Sequence, residues 1–483
     1  MKKYIFEVTT FVSGALGMII ELVAARILSP YLGNSNLIWT CIIGMMLAFM
    51  SLGYYFGGKI ADKNPKRNIM SLFLLNAAIF ISIIPLLEVY VIEPLSKTSL
   101  SLPLVAIICS IITFGLPSLF LATVSPYAVK LKEKTVDEIG QVSGKMSSFS
   151  TIGSIVGTFL AGFLLIPKMG VKNIILMCVI VLCVMSFILY EKKNVKYIIK
   201  SVMIFILLIV VVLIGKEIFK SVHKNIILDT DSEYSRIWIN KINDEMYALQ
   251  VDTAYESVST ENNNLNAQYL EYYDLFDYYK EYSKDILMIG GAAYTYPSYF
   301  LEKYSEKNID VVEIDPKMTE IANTYFDLDI ENERLNIFHE DGRRFLNMSQ
   351  KKYDCILIDA FKGLNVPFQL TTIEALQSVK NSLNENGIVI TNLVCALDGK
   401  DSELVKYEYT TYKEVFENVK IFQVGKGNVN DTDLQNLILV GFNGEIYENL
   451  GKYENYQRLI ENEILNFYSD KPHVTDDLCP VGI

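Results

Sequence analysis

Glycines and carboxylates follow a series of short apolar runs in the second half of this chain. In chain order they are Gly290, Gly291, Glu313, Asp341, Gly342 and Asp359. Glycine lets a ligand approach the backbone closely, and a carboxylate binds hydroxyl or amino groups or accepts a proton. Glu313 follows the glycine pair at the spacing from which a carboxylate binds ribose hydroxyls. This order predicts a nucleoside site, with Asp359 near the reacting centre.

The apolar runs before these residues alternate with helical segments. We predict strands at 285–290, 309–315, 353–361 and 387–394, another at the start of 335–346, and helices at 296–305, 316–326 and 371–383. Near-continuously apolar strands alternating with helices indicate a parallel, doubly wound sheet, which binds ligands at the carboxyl ends of its strands. No second phosphate-binding glycine run occurs, so a nucleoside fits better than a dinucleotide. Before this sheet, the alternating residues 234–258 predict a small β-meander.

The cysteines and histidines argue against a metal site and a disulfide framework. None of the seven cysteines forms a CxxC pair, and the three histidines lack the spacing of metal ligands. We therefore expect buried or incidental thiols and no bound metal.

Charge and hydropathy divide the 483 residues into two halves. Residues 1–224 contain 21 Lys and Arg against 10 Asp and Glu, whereas residues 225–483 contain 22 against 45, which together give the net charge of −12. The mean hydropathy of +0.27 is high for a soluble chain. A basic, apolar half thus precedes an acidic half that would repel a phosphate backbone, so nucleic-acid binding is excluded.

Seven apolar segments in the first half are long enough to cross a lipid bilayer as helices. They lie at 9–28, 37–57, 69–91, 102–123, 146–166, 173–190 and 197–215. The first is not a cleavable signal, because it contains Glu21 and Arg26 and is followed by further segments. The sequence predicts a multi-pass protein of the cell membrane.

The basic residues beside these segments predict the orientation of the chain. Flanks on one side carry 14 Lys and Arg residues and those on the other carry 6, which places the N-terminus in the cytoplasm. Seven spans then place the acidic half outside, whereas the ligand of the predicted nucleoside site is expected in the cytosol. Two alternatives stay open: one segment is re-entrant, or the acidic half is external and binds another ligand.

Three motifs in the first half indicate helix packing. Glu21 and Arg26 indicate either a substrate or proton path or a structural ion pair near the membrane interface, of which we favour the ion pair. The stretch GYYFGGKIADKNPKR (53–67) resembles the cytoplasmic loop of the major facilitator superfamily, in which glycines allow close helix contact and an Asp links neighbouring helices through basic residues. Small residues at four-residue spacing in GSIVGTFLAG (153–162) also predict close packing.

The second half resembles the spermidine synthase family of aminopropyltransferases, which have the class I methyltransferase fold. The similar motifs are IGGAAYTYP (289–297), VVEIDP (311–316), EDGRRFL (340–346) and LIDAF (357–361). The motifs ELVAARILSPYLGNS (21–35) and VTDDLCPV (474–481) are similar to the branch in which a membrane half precedes the synthase. The expected architecture is an α-helical membrane domain at 1–224, a β-meander at 225–283 and a Rossmann-like α/β nucleoside-binding domain at 284–483.

The resemblance also implies roles for the site residues. Glu313 would hold the ribose of decarboxylated S-adenosylmethionine or its product, and Asp341 the adenine. Gly290, Gly291 and Gly342 would line the nucleoside site. Asp359 would take a proton from the attacking amine. The donor, decarboxylated S-adenosylmethionine or S-adenosylmethionine, would be a co-substrate, with no permanently bound cofactor.

The chain departs from the family at the amine-binding positions. Ala293 or Tyr294 stands where the soluble synthases carry an Asp that meets the aminopropyl ammonium. Lys362 stands where they carry a second Asp that binds the acceptor, and LEYYDLF (270–276) lacks the family's His. Binding of an S-adenosyl compound is therefore better supported than putrescine as the acceptor.

Three functions fit the sequence. The first is an aminopropyltransferase-like enzyme on a membrane anchor, acting on an amine. The second is a transporter or exporter whose acidic half binds a nucleoside without catalysis. The third is an S-adenosylmethionine-dependent transferase with another acceptor. Ala293 and Lys362 favour the second and third, Asp359 favours the first and third, and a homo-oligomer is left open.

Overall fold

The computed structural model describes residues 4–132, 139–191, 194–243, 246–259, 265, 267–280, 282–360, 367–444 and 447–478. The chain divides into two compact units, Met1–Trp238 and Ile239–Ile483.

Among its described residues, the N-terminal unit contains seven helices that are long and apolar enough to cross a membrane. They are α1 (Ile5–Leu32), α2 (Asn36–Lys63), α3 (Arg67–Ser96), α4 (Leu102–Lys132), α5 (Ile139–Met169), α6 (Val171–Leu189) and α7 (Val195–Val222). Each overlaps one of the seven predicted segments. The shortest has 19 residues, so none is short enough to suggest a re-entrant segment by its length.

Three of these helices widen into a π-helical turn just before a proline. The turns are Glu88–Ile92 in α3, Ile111–Gly115 in α4 and Ala161–Leu165 in α5. In each case the helix resumes with a proline in its first two positions. Proline has no N–H and its ring collides with the preceding turn, so a wider turn lets the helix continue.

Four glycines of the two packing motifs, Gly53, Gly57, Gly153 and Gly157, lie where helices touch through their backbones, as predicted, whereas a Cβ on Gly58 or Gly162 would meet nothing within 4 Å. A Cβ on Gly153 would lie 2.0 Å from the Phe11 carbonyl oxygen, and one on Gly53 would lie 2.3 Å from that of Leu119. Asp62 also pairs with Lys130 on α4, with 3.7 Å between Oδ1 and Nζ.

The predicted ion pair between Glu21 and Arg26 is wrong. Arg26 instead donates from Nη2 to the carbonyl oxygen of Glu233 at 2.6 Å. Five residues turn a helix by about 140°, so the two side chains leave α1 in different directions.

A buried group of charges, which we call the Arg236 cluster, ties the segment after α7 to the helix ends. Arg236 is 1% exposed and binds Asp229 through Nε and Nη2, at 2.9 and 3.1 Å. Its Nη1 donates to Glu88 at 2.9 Å. Lys172 and the Trp238 indole nitrogen also bind Asp229, at 2.6 and 2.9 Å. Burial acts to raise the pKa of Asp229, but Arg236 and Lys172 outweigh it and hold the pKa well below its ordinary value.

Asp231, beside this cluster, has a pKa raised by burial to about 6. Its Oδ2 accepts from the Val171 N–H at 3.1 Å, and its Oδ1 is buried without a hydrogen-bond partner. Because the folded-state pKa lies above the unfolded value, the protein loses stability as pH rises from about 4 to about 6.

We therefore expect Asp231→Asn to stabilise the protein at pH 7, by about 1–3 kcal/mol, and to have little effect at pH 4. Chemical unfolding of the full chain in detergent at both pH values measures this. An effect equal at the two pH values would contradict the assignment.

Four short strands follow α7: β1 (Ile226–Asp231), β2 (Arg236–Lys241), β3 (Tyr247–Val251) and β4 (Ala254–Val258). They form one sheet in chain order, as a meander does, and the division between the two units falls within β2. The meander begins earlier than the alternation at 234–258 predicted.

The C-terminal unit contains a seven-stranded, mostly parallel sheet. Its strands are β5 (Asp285–Ile289), β6 (Asn308–Val312), β7 (Leu335–Phe338), β8 (Tyr353–Ile358), β9 (Leu383–Cys395), β10 (Asn418–Gln423) and β11 (Gln435–Phe442). Their spatial order is β10-β11-β9-β8-β5-β6-β7, with β11 antiparallel to both neighbours. The order in which successive strands are added to the sheet reverses between β5 and β8. Sheets of this type bind ligands at such a switch point. The predicted class I methyltransferase-like sheet is confirmed.

Helices cover both faces of this sheet. They are α8 (Leu275–Tyr279), α9 (Thr295–Lys303), α10 (Pro316–Tyr325), α11 (Gly342–Met348), α12 (Ile373–Ser382), α13 (Glu403–Val415) and α14 (Tyr453–Ile460). Alternate residues of each strand enter two cores: Val311 packs on one face, whereas Val312 packs on the other. Burial on both faces explains why these strands are predominantly apolar.

Candidate nucleoside-binding site

Gly290 brings the ends of three strands together. Its φ of +93° lies in the left-handed region that glycine tolerates best. Its N–H donates to the Val312 carbonyl oxygen at 2.9 Å, and a Cβ at this position would lie 2.2 Å from the carbonyl oxygen of Asp359. Any side chain at this position would therefore push the end of β8 away from the loop after β5.

The Glu313 carboxylate is buried directly under the same loop. Its Oε2 accepts from the N–H groups of Gly291 and Ala292 at 2.8 and 3.2 Å, and its Oε1 accepts from the N–H of Asp315 at 2.9 Å. Burial raises the pKa of Glu313, while these backbone hydrogen bonds act to lower it. Two carboxylate oxygens offer about four acceptor positions, so Oε1 retains capacity for a ligand hydroxyl.

Asp341 and Gly342 lie at the start of α11. The Asp341 Oδ1 accepts from the Arg344 N–H at 2.9 Å and so caps the helix. A Cβ on Gly342 would lie 2.6 Å from Cγ2 of Ile289, which places the start of α11 beside the end of β5. The C-terminal ends of strands β5, β6, β7 and β8, at which we expected ligand contacts, therefore lie together at one edge of the sheet.

Asp359 is held by side chains that the sequence interpretation did not select. The Asn392 amide donates to Oδ1 at 3.0 Å, and the Tyr269 hydroxyl donates to Oδ2 at 3.4 Å. Burial raises the pKa of Asp359, against the opposing effects of Asn392 and of the Tyr273 and Tyr269 hydroxyls. A raised pKa makes this carboxylate a stronger base than an exposed aspartate.

Two signals could have identified these partners. Asn392 is a polar residue within the apolar run GIVITNLV, where burial of an amide is costly unless the amide is bonded. Tyr269 and Tyr273 lie beside and within the stretch LEYYDLF (270–276), whose tyrosines could have been identified as hydrogen-bond donors.

Tyr294 and Ala293 lie in the glycine loop at the place where the soluble synthases carry an Asp. Tyr294 is fully buried and left-handed, with a φ of +57°, and its hydroxyl lies 2.7 Å from Thr319 Oγ1. That Oγ1 lies 2.9 Å from Nε2 of His339. Ala293 is buried beside it and brings no polar group. Lys362, the other departure from the family pattern, lies outside the described residues.

Within the described ranges, no three His, Cys, Asp or Glu residues are grouped so that they could hold a metal ion. The six described cysteines are free, and burial raises the pKa of the Cys395 thiol to about 12.

Comparison with known proteins points to one family. The spermine/spermidine synthase domain model matches residues 275–425. The chain is 26% identical over 213 residues to a probable polyamine aminopropyl transferase of Bifidobacterium longum, covering 44% of this chain and 45% of that protein. It is 32% identical over 148 residues to the polyamine aminopropyltransferase of Vibrio vulnificus, covering 30% and 48%. A longer match to polyamine aminopropyltransferase 2 of Aquifex aeolicus is 25% identical over 407 residues, covering 79% and 77%.

The chain spans about half the length of the first two of these relatives. The crystal structure of a probable spermidine synthase from Corynebacterium glutamicum aligns with 52% of this chain and 99% of its own at 20% identity, with a TM-score of 0.43. The family match includes the strand ends that carry Gly290, Glu313, Asp341 and Asp359. The C-terminal unit of this chain is therefore similar to the spermine/spermidine synthase domain over residues 275–425.

Proposed function

We propose that the C-terminal unit transfers an aminopropyl group from decarboxylated S-adenosylmethionine to an amine, with Asp359 as the general base. The observation that carries this proposal is the half-buried Asp359, whose carboxylate is held by Asn392 and Tyr269 and whose main-chain carbonyl oxygen packs against Gly290. The names of the relatives, which are polyamine aminopropyltransferases, support the same reaction class.

The proposed reaction is a single displacement. The nitrogen lone pair of the acceptor attacks the carbon beside the donor's sulfonium, so a C–N bond forms as the C–S bond breaks. The bond's electrons return to sulfur and leave neutral methylthioadenosine. An ammonium has no lone pair, so the acceptor must first lose a proton, which Asp359 accepts. The same carboxylate attracts the cationic acceptor to the site.

Donor binding is assigned to the other strand ends. Glu313 would accept hydrogen bonds from the ribose hydroxyls, and the Asp341 oxygen not engaged in capping would accept from the adenine amino group. Gly290, Gly291 and Gly342 would leave room for the nucleoside beside the backbone. In this proposal the residues at the strand ends form one nucleoside-binding site, and Asp359 lies at the end of that site where the reaction takes place.

One observation favours a second candidate. Where soluble synthases carry an Asp for the aminopropyl ammonium, this chain has the apolar Ala293 and the buried Tyr294. An S-adenosyl compound with a different transferable group, or a nucleoside bound without turnover, would not need that carboxylate. Release of methylthioadenosine from the decarboxylated donor separates the first function from these two.

We propose that the seven helices anchor this unit in the cell membrane as a multi-pass domain. Their length and hydropathy support this, and the basic flanks favour a cytoplasmic N-terminus. The division into 1–224, 225–283 and 284–483 is part of the same proposal. A reporter fused to the C-terminus and active on only one side of the membrane tests the orientation.

Glu313→Gln should weaken methylthioadenosine binding about 10- to 150-fold, because it replaces charge-assisted hydrogen bonds by neutral ones. The amide would also turn an N–H₂ group toward the donors of either Gly291 or Asp315. Calorimetry on the purified full chain measures the affinity. Glu320→Gln, an exposed position on α10, should leave it unchanged. Equal affinities in the two variants would refute the ribose assignment.

A further inference from the structure

A pocket in the N-terminal unit is lined by hydroxyl groups within helices that are otherwise apolar. The hydroxyl residues are Thr10, Ser13, Tyr54, Ser118, Ser125, Ser150 and Ser154, which come from α1, α2, α4 and α5. Gly17 also lines the pocket, and a Cβ built on it would meet nothing within 4 Å. Seven hydroxyls around open space call for an explanation, because polar groups within such apolar helices often mark a pathway or a binding site.

Four of these hydroxyls already donate their hydrogen to a backbone carbonyl oxygen, so only their oxygen lone pairs are free for a ligand. Ser13 donates to the Leu121 carbonyl oxygen at 2.7 Å, and Ser118 donates to that of Phe114 at 2.8 Å. Thr10 and Ser154 likewise have backbone carbonyl acceptors, at 2.8 and 3.3 Å. A hydroxyl has one hydrogen and two lone pairs, so a hydroxyl whose hydrogen is used can still accept. The pocket therefore suits a ligand that donates hydrogen bonds, such as an ammonium group with its N–H donors.

A carboxylate lies one helical turn from each end of this pocket on the same face of α1. Glu21 is one turn after Gly17, is half-buried, and has no hydrogen bond or ion pair within the part of the chain that the structure describes. Glu7 is one turn before Thr10 and is 1% exposed, with Lys132 and Lys145 bound to its Oε1. Two cations already neutralise Glu7, so Glu21 is the counter-ion available to a ligand.

We propose that this pocket binds the protonated amino group of a small organic amine, with Glu21 as its counter-ion and the hydroxyl oxygens as acceptors. The lone pairs replace the water that a buried ammonium loses, and the carboxylate balances its charge. The helical unit is then a binding domain for a cation as well as an anchor. This inference does not depend on the transferase reaction.

The test uses the full chain in lipid nanodiscs, with Asp359→Ala present to remove the proposed acceptor site of the C-terminal unit. Calorimetric titration with n-butylammonium chloride should show binding. Gly17→Leu, which fills the pocket, should weaken that binding about tenfold or more. Glu21→Gln, which keeps the shape of the side chain, should do the same by removing the charge-assisted hydrogen bond.

Gly44→Leu is the matched control. Gly44 is exposed on α2, does not line the pocket, and has as much free space at its Cβ as Gly17 has. The Gly44→Leu variant should bind n-butylammonium with the same affinity as the Asp359→Ala parent. No binding to the parent, or equal binding in the Gly17 and Gly44 variants, would overturn the proposal. Equally tight binding of sodium in a NaCl titration would also overturn it, since the site would then be one for inorganic cations.

Discussion

Asp359→Asn should lower turnover about 10²–10⁴-fold and leave the affinity for methylthioadenosine nearly unchanged. The asparagine oxygen can still accept from Asn392, and its amide can donate to the Tyr269 oxygen, so the shape of the site is kept. Only the basic carboxylate is lost. Single-turnover release of methylthioadenosine from decarboxylated S-adenosylmethionine, with mono- and diamine acceptors, measures the effect.

The pH dependence of the same assay gives an independent test. Burial raises the pKa of Asp359, so the rate should rise with pH through a limb above the ordinary range of an aspartate, and the variant should lack this limb. Asp401→Asn, an identical change at an exposed position, serves as the control and should keep wild-type turnover. If the wild type binds donor but turns over no acceptor, the non-catalytic alternative replaces our proposal.

Arg236→Met should destabilise the protein by about 3–5 kcal/mol, because it leaves the buried Glu88 carboxylate without its cation and removes one of the two cations that bind Asp229. Methionine fills much of the arginine's volume, so the loss of stability would come from the missing charge rather than from poorer packing. Chemical unfolding in detergent can be followed by the fluorescence of Trp238, which binds Asp229. A Trp39→Phe background makes Trp238 the only tryptophan, since the chain has two.

Lys220→Met is the control for this measurement. Lys220 pairs with Glu217 on the surface of α7, and both side chains are 74% exposed. An exposed pair contributes about 0–1 kcal/mol, so its loss should hardly change the unfolding curve. If the two variants lose the same stability, the Arg236 cluster contributes no more than a surface contact.

The sequence predicted the strand ends of the C-terminal sheet because two independent signals coincide there. The strands are predominantly apolar, and the residues that follow them are acids or glycines, so a shift in the predicted boundaries by a few residues does not change the assignment of Glu313 or Asp359 to a strand end. The strands β10 and β11 were not predicted, since no ligand-binding motif marks them. Asn392 was missed because it was interpreted only as part of an apolar strand.

Long-range charge networks could not be predicted in the same way. The Arg236 cluster joins Glu88, Lys172 and Asp229, which are distant in sequence and individually resemble helix-flanking charges. The Glu21–Arg26 pair was predicted from proximity in sequence alone, and the helix geometry separates the two side chains. Helical spacing of three or four residues would have been the better criterion.

The position of β11 between β9 and β10 has a consequence for how this protein is made. β9 ends at Cys395, yet the strand that covers its edge is not complete until Phe442 has left the ribosome. In the proposed membrane arrangement and at ordinary translation rates, a nascent chain whose helices have entered the bilayer would present a bare apolar strand edge for on the order of seconds. Premature termination within that interval should give a membrane-tethered product that aggregates on the bilayer surface and requires removal by quality-control proteases.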